Sequence, residues 1–213
     1  MTTFLDRADA GQQLAQHLQR RGVTADVIVA LPRGGVPVAA QIARTLRAPM
    51  AVLPVRKLGL PQAPEVAMGA LASGGVRWLN DALIAQLRVP AHAVHAVEAA
   101  ETAELARREA LYEGMTRLSA VSGAVVLLVD DGVATGATMR AGVLAVRARG
   151  ALRVVVAVPV GAPDTCEDLR ALADNVVCLH APAAFRAVGL HYQHFPQLTD
   201  AEVHAALKED PHA

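Results

Sequence analysis

Val126-Leu-Leu-Val-Asp-Asp-Gly-Val-Ala-Thr-Gly-Ala-Thr138 decides the reading of this chain. An apolar strand runs into two carboxylates, Asp130 and Asp131, and a loop of small residues and hydroxyls follows. A helix that starts where the loop stops would aim backbone N–H groups, the Thr135 and Thr138 hydroxyls and its positive end at one spot. The carboxylates flank that spot and face whatever the anion is attached to. A sugar phosphate has this polarity, with an anion at one end and hydroxyls at the other.

Outward from this stretch, strand and helix patterns alternate. Residues 26–31 and 51–55 read as short buried strands with a helix over 36–46 between them, which implies parallel pairing through a right-handed crossover. After the strand at 125–129 come a helix over 137–149 stopped by Gly150, a strand over 153–159, a helix over 164–173 and a strand over 176–179. A helix over 8–21 precedes them, and Thr199-Asp-Ala-Glu202 is a capping box that opens a last one. The pattern predicts an α/β fold: a Rossmann-like doubly wound, mostly parallel sheet of about five strands flanked by helices.

Between the two strand groups the pattern weakens. Residues 58–75 are rich in Gly, Pro, Ala and Ser and read as a mobile loop or a weak hairpin, with Arg77-Trp78-Leu79 closing it as a strand. Asn80 or Asp81 caps a short helix to Leu87. Pro90 opens a long helix to about Met115, with Val94, Val97, Leu105, Tyr112 and Met115 on its apolar side.

The chain has 213 residues, enough for one domain, 1–213, with a small lobe. Hydrophobic residues make up 53% and aromatics 3%, so Ala, Val and Leu must build the core. Twenty basic and twenty acidic residues cancel, unlike the basic balance of a nucleic-acid-binding chain. The N-terminus lacks a signal-peptide pattern and no apolar run approaches a membrane span, so a cytoplasmic location is expected. Cys166 and Cys178 lack metal or redox spacing and read as buried thiols. His92/His95 and His191/His194 are i,i+3 pairs without a third ligand nearby, and read as surface histidines.

Ligands in such sheets bind beyond the carboxyl ends of the strands. Three strand ends carry unusual loops: 32–37, 56–75 and 130–138. The last one is not that of a receiver domain, whose acidic pair lies near the N-terminus. It also lacks the Gly-Lys-Ser/Thr ending of a nucleotide P-loop.

The 126–138 stretch resembles the phosphoribosyl-diphosphate motif of type I phosphoribosyltransferases: apolar strand, two acids, variable positions, then Thr-Gly-x-Thr. By that resemblance Asp130 and Asp131 meet the ribose hydroxyls and act with Arg56 and Lys57 in catalysis. Gly132, Val133, Ala134, Thr135, Gly136, Ala137 and Thr138 wrap the 5′-phosphate. Mg²⁺ is held mainly by the ligand, with Asp130 and Asp131 as candidate contacts. The loop after the first strand binds pyrophosphate through backbone amides, often beside an unusual peptide bond before a Gly. Here that loop is Arg33-Gly34-Gly35, where a Gly pair lets an anion approach the backbone closely. Arg56-Lys57 matches the Arg-Lys of adenine and orotate members and joins the pyrophosphate set. Residues 57–79 would form a lid and 181–198 a hood over the base, in which Phe185, Tyr192 or Phe195 stacks on it or packs the hood against the core.

Most of the chain is similar to uncharacterised bacterial phosphoribosyltransferase-like proteins that carry Arg-Gly-Gly-Val-Pro-Val-Ala (Arg33–Ala39) and Arg-Lys-Leu-Gly. The resemblance implies a homodimeric enzyme of nucleotide metabolism that transfers a phosphoribosyl group to a nitrogenous base and releases pyrophosphate. Hypoxanthine-guanine members place an Asp three residues after the second acid to handle the purine N7 proton. Ala134 stands there, which disfavours a 6-oxopurine and leaves Glu65 as one candidate proton acceptor. Two other readings share the motif: a non-catalytic sensor of phosphoribosyl diphosphate, and transfer to water or another non-base acceptor.

Overall fold

The computed structural model describes residues 3–113 and 118–208. Its centre is a five-stranded all-parallel sheet in the order β2-β1-β6-β7-β8. The strands are β1 (Val27–Ala30), β2 (Met50–Val52), β6 (Val125–Val129), β7 (Arg153–Val160) and β8 (Asn175–His180). The order reverses between β1 and β6, so the crevice beyond their carboxyl ends is the position where this architecture receives ligands. Every residue of β1 is buried, and so are four of the five in β6, as expected of strands covered on both faces.

Helices α1 (Arg7–Arg20), α2 (Gly35–Leu46) and α7 (Asp200–Lys208) cover one face. Leu14, Leu18, Ile42 and Val203 pack there against Ile28, Leu127 and Val155. Helices α5 (Ala137–Ala148) and α6 (Pro163–Leu169) cover the other, through Met139, Val143 and Leu169 against Val29, Leu128 and Val156. Punctuation follows the sequence: Gly22 and Gly150 have positive φ just past α1 and α5, and Thr199 and Glu202 exchange the reciprocal bonds of a capping box.

The second expected strand is shorter than its apolar run. Leu53 N still donates to Ala30 O, but Pro54 has no N–H to continue the ladder. Val55 therefore begins a different sheet, and residues 55–79 form a hairpin plus a third strand. The strands β3 (Val55–Leu60), β4 (Ala63–Ala72) and β5 (Val76–Leu79) are antiparallel in that order.

This small sheet is held from both sides. Val55, Ala67, Ala70 and Ala72 join the α5 core. Leu58, Leu60, Met68 and Leu71 meet Val94 and Leu105 of α4 (Ala91–Leu111). Asn80 caps the short α3 (Asp81–Gln86) by accepting from Leu83 N at 3.1 Å. The long helix ends at Leu111, with Tyr112 as its cap, while Met115 falls outside the described residues. Tyr112 is fully buried, but in the α1–α2–α7 core rather than under α4.

Candidate functional site

β6 delivers Asp130 and Asp131 to the crevice. Asp130 Oδ1 accepts the Asp131 N–H at 2.8 Å, which fixes the turn out of the strand. The loop is then tied to the end of β7: Val133 N donates to Val160 O, and Ala162 N donates to Val133 O. Thr165, in the first turn of α6, donates its hydroxyl to Ala134 O at 2.7 Å. Gly136 caps α5 with φ +75°, a left-handed conformation that glycine adopts without strain. Thr135 is exposed and Thr138 half-buried in the first turn of α5, where the helical N–H groups have no intrahelical acceptor. The strand–loop–helix geometry expected from the sequence is present here.

The loop after β1 meets the same spot. Gly34 lies so close to Asp131 that a Cβ there would fall within the carboxylate. A Cβ on Gly35 would approach Val129 O to 2.6 Å. Both glycines are thus required by close approach of α2's start to the end of β6. The loop's cis peptide bond joins Pro32 to Arg33, one residue before the Arg33–Gly34 bond singled out from the sequence.

Burial pushes the Asp130 carboxyl well above the usual range, and the charge of Asp131 pushes it further. Burial also raises Asp131, against the pull of the Arg7 guanidinium. Two carboxylates held in this way gain from any ligand that brings hydroxyl donors or positive charge.

Arg7 was not foreseen. Its Nε donates to Asp131 Oδ2 at 2.7 Å, its second donor group reaches Pro196 O at 2.9 Å, and its guanidinium lies 3.8 Å from the centre of the Phe195 ring. Tyr192 donates its hydroxyl to the Asp131 carbonyl at 2.6 Å. The 181–198 segment is therefore stapled to the second acid. Tyr192 packs on Phe4 and Phe195, while Phe185 stacks on His191. The one local hint of Arg7 is its place: a cation in the first turn of α1, directly after the Asp6 cap, opposes the helix dipole.

Arg56 and Lys57 were expected in the loop after the second parallel strand. They lie within β3 and point to opposite faces of the small sheet. Arg56 faces α4, where its Nε meets Glu101 Oε2 at 2.6 Å. Lys57 pairs across the ladder with Ala70, on the face toward α5, and its ammonium meets the Glu65 carbonyl at 3.2 Å. The Glu65 side chain is 98% exposed.

Cys166 and Cys178 lie twelve positions apart yet meet, since both sulfurs crowd Gly161. The neighbouring Cys178 thiol lowers the Cys166 thiol, while Cys178 Sγ itself donates to the His180 carbonyl at 3.1 Å. Among the described residues no three His, Cys, Asp or Glu side chains form a metal-binding group. No described helix is long and apolar enough to cross a membrane.

Residues 3–194 match the family model described as "Phosphoribosyl transferase domain". The chain belongs to that family. A Mycobacterium tuberculosis protein named "Putative phosphoribosyl transferase", found in two strains, is 48% identical over 208 residues. That alignment takes in 97% of this chain and 47% of the relative, so the chain spans about half the length of the curated relatives it matches. The crystal structure of TT1426 from Thermus thermophilus is similar along the whole length, with 42% identity, a TM-score of 0.70, and coverage of 97% of this chain and 98% of that one.

Proposed function

We propose that this phosphoribosyl transferase domain binds phosphoribosyl diphosphate and transfers its phosphoribosyl group to a nitrogenous base, releasing pyrophosphate. One observation carries the reading. The Asp130–Asp131 pair stands between an anion cradle at the start of α5 and a glycine loop in contact with Asp131. A ligand spanning them needs a phosphate, neighbouring hydroxyls and a second anionic group, in that order.

In this reading the loop from Gly132 to Thr138 holds the 5′-phosphate, with Thr135 and Thr138 donating. Asp130 and Asp131 accept from the ribose hydroxyls. The Arg33-Gly34-Gly35 backbone receives the diphosphate, and Lys57 supplies charge from the hairpin. Arg56, engaged by Glu101, braces the hairpin against α4. The exposed hairpin tip closes over the ligand and excludes water.

Mg²⁺ fits this donor set. Asp130 and Asp131 offer two oxygen-donor carboxylates whose proton affinity is raised by burial, and a hard divalent cation would take its remaining oxygens from the diphosphate and water. When bound it neutralises diphosphate charge and eases departure of pyrophosphate. The protein's own part is to hold C1 of the ribose between leaving group and base and to stabilise the charge that develops. The base would lie under the 181–198 hood, and Ala134 argues against a 6-oxopurine. As the family implies, we take the working form to be a homodimer, and we take its location to be cytoplasmic.

The test is pyrophosphate release from phosphoribosyl diphosphate and Mg²⁺ across a panel of adenine, orotate, uracil and hypoxanthine. Base-dependent release supports transfer. Tight binding with no release under any base would overturn the enzyme reading in favour of a sensor.

A further inference from the structure

Resting on that reading of the site, we propose that Arg7 is a positioning residue: it orients Asp131 toward the ribose and couples the carboxylate to the hood. Three contacts support this, and each uses a different part of one guanidinium. Nε holds Asp131 Oδ2 at 2.7 Å, another donor group holds Pro196 O at 2.9 Å, and the guanidinium plane covers the Phe195 ring at 3.8 Å. The Arg7 side chain is 9% exposed and the Asp131 side chain 14%, so neither contact is a solvent-screened surface pair.

The geometry sets a division of labour within Asp131. Oδ2 already accepts from Arg7, which makes Oδ1 the freer acceptor for a ribose hydroxyl. The carboxylate cannot rotate freely, because Gly34 closes against it and Tyr192 pins its backbone carbonyl. Asp130 lacks this bracing. The two acids therefore differ: Asp131 is held fixed and charge-compensated, while Asp130 remains without a cationic hydrogen-bond partner among the described residues.

The same contacts reach the base side. Arg7 joins α1 to Phe195 and Pro196, and Val188, earlier in the same 181–198 segment, packs so tightly on Gly132 that a Cβ there would come within 2.6 Å. Ribose contact at Asp131 and placement of the hood are thus one mechanical unit with Arg7 at its centre. A lysine offers a point charge without the planar fork, so it can keep the ion pair with Asp131 but not all three contacts.

The experiment compares wild type, Arg7→Gln and Arg7→Lys by calorimetric titration with phosphoribosyl diphosphate and, separately, with pyrophosphate, after thermal melts establish that each variant is folded. Arg7→Gln should lose roughly tenfold to a hundredfold in affinity for phosphoribosyl diphosphate, the effect of removing one charge-assisted contact. Its pyrophosphate affinity should stay within about threefold of wild type, a difference of under about 1 kcal/mol. Arg7→Lys should recover most of the loss. Should Arg7→Gln not fold, Phe195→Leu carries the test through the same two titrations, with a selective loss for the ribose ligand expected. Equal affinity of the folded variants and wild type for phosphoribosyl diphosphate overturns the role of Arg7, and so does parallel loss of both ligands. A wild type that binds neither ligand overturns the underlying reading of the site, and this role with it.

Discussion

Gly34 and Asp131 occupy adjoining space so closely that any side chain at position 34 would displace the carboxylate. The glycine is therefore set by a partner far along the chain rather than by its own backbone angles, which are right-handed helical at φ -61° and ψ -37°. Gly34→Ala should leave the local helix start intact while pushing Asp131 away from Arg7. We expect phosphoribosyl diphosphate binding to fall by more than about tenfold, read by calorimetry, as when a charged hydrogen bond is lost. A variant binding as well as wild type would remove Asp131 from the site.

Asp130 is expected to cost the fold stability at neutral pH. Its carboxyl is raised well above the usual range by burial and by Asp131, so the folded state holds the proton more tightly than the unfolded chain. Stability from this group is complete at low pH and is lost as pH rises through the raised value. Asp130→Asn, which keeps an oxygen for the Asp131 N–H, should melt higher than wild type at about pH 7. The advantage should vanish near about pH 3, below the unfolded value of about 3.9, where the unfolded carboxyl is itself mostly protonated. Melting curves across this range check the prediction, and an advantage that grows as pH falls would reverse the assignment.

Lys57 and Arg56 should separate cleanly despite being neighbours. Lys57→Ala should weaken pyrophosphate binding several-fold with little change in melting temperature. Arg56→Ala breaks the partly exposed ion pair with Glu101, so it should cost about 0.2–1 kcal/mol of stability and leave pyrophosphate affinity within about twofold. Titration and melting of the two variants side by side decide it. A larger binding loss for Arg56 would return that side chain to the site.

Much of this was legible in the sequence because it depends on local rules. The 126–138 stretch announces strand, acids, loop and helix by spacing alone, and the capping box at Thr199 behaves as written. What was not legible depends on which face a residue presents. Pro54 ends one ladder and starts another, which moves Arg56 and Lys57 from a loop into a strand and turns them apart. The Arg7–Asp131 pair spans 124 positions, and the meeting of Cys166 with Cys178 needs the packing of α6 on β8. No spacing rule reaches across elements in that way. The weak pattern of 58–75 came from a hairpin that draws its order from two flanking helices, α4 and α5, rather than from its own residues.

Thr138 sits half-buried in the first turn of α5, where the helical N–H groups have no intrahelical acceptor. Thr138→Ala should weaken phosphoribosyl diphosphate binding by roughly tenfold to a hundredfold through loss of one hydrogen bond to a charged group. Ribose 5-phosphate should be affected as strongly, since it carries the same phosphate, and pyrophosphate hardly at all. Competition titrations among the three ligands read the pattern.

Whether the paired acids hold phosphoribosyl diphosphate is decided by its calorimetric titration, with Mg²⁺, into wild type and into the double variant Asp130→Asn/Asp131→Asn. We expect a single saturable site on the wild type, competed by pyrophosphate and by ribose 5-phosphate, and at least about a hundredfold loss in the double variant, about 2.7 kcal/mol. No binding to the wild type, or equal binding to both proteins, would contradict the assignment.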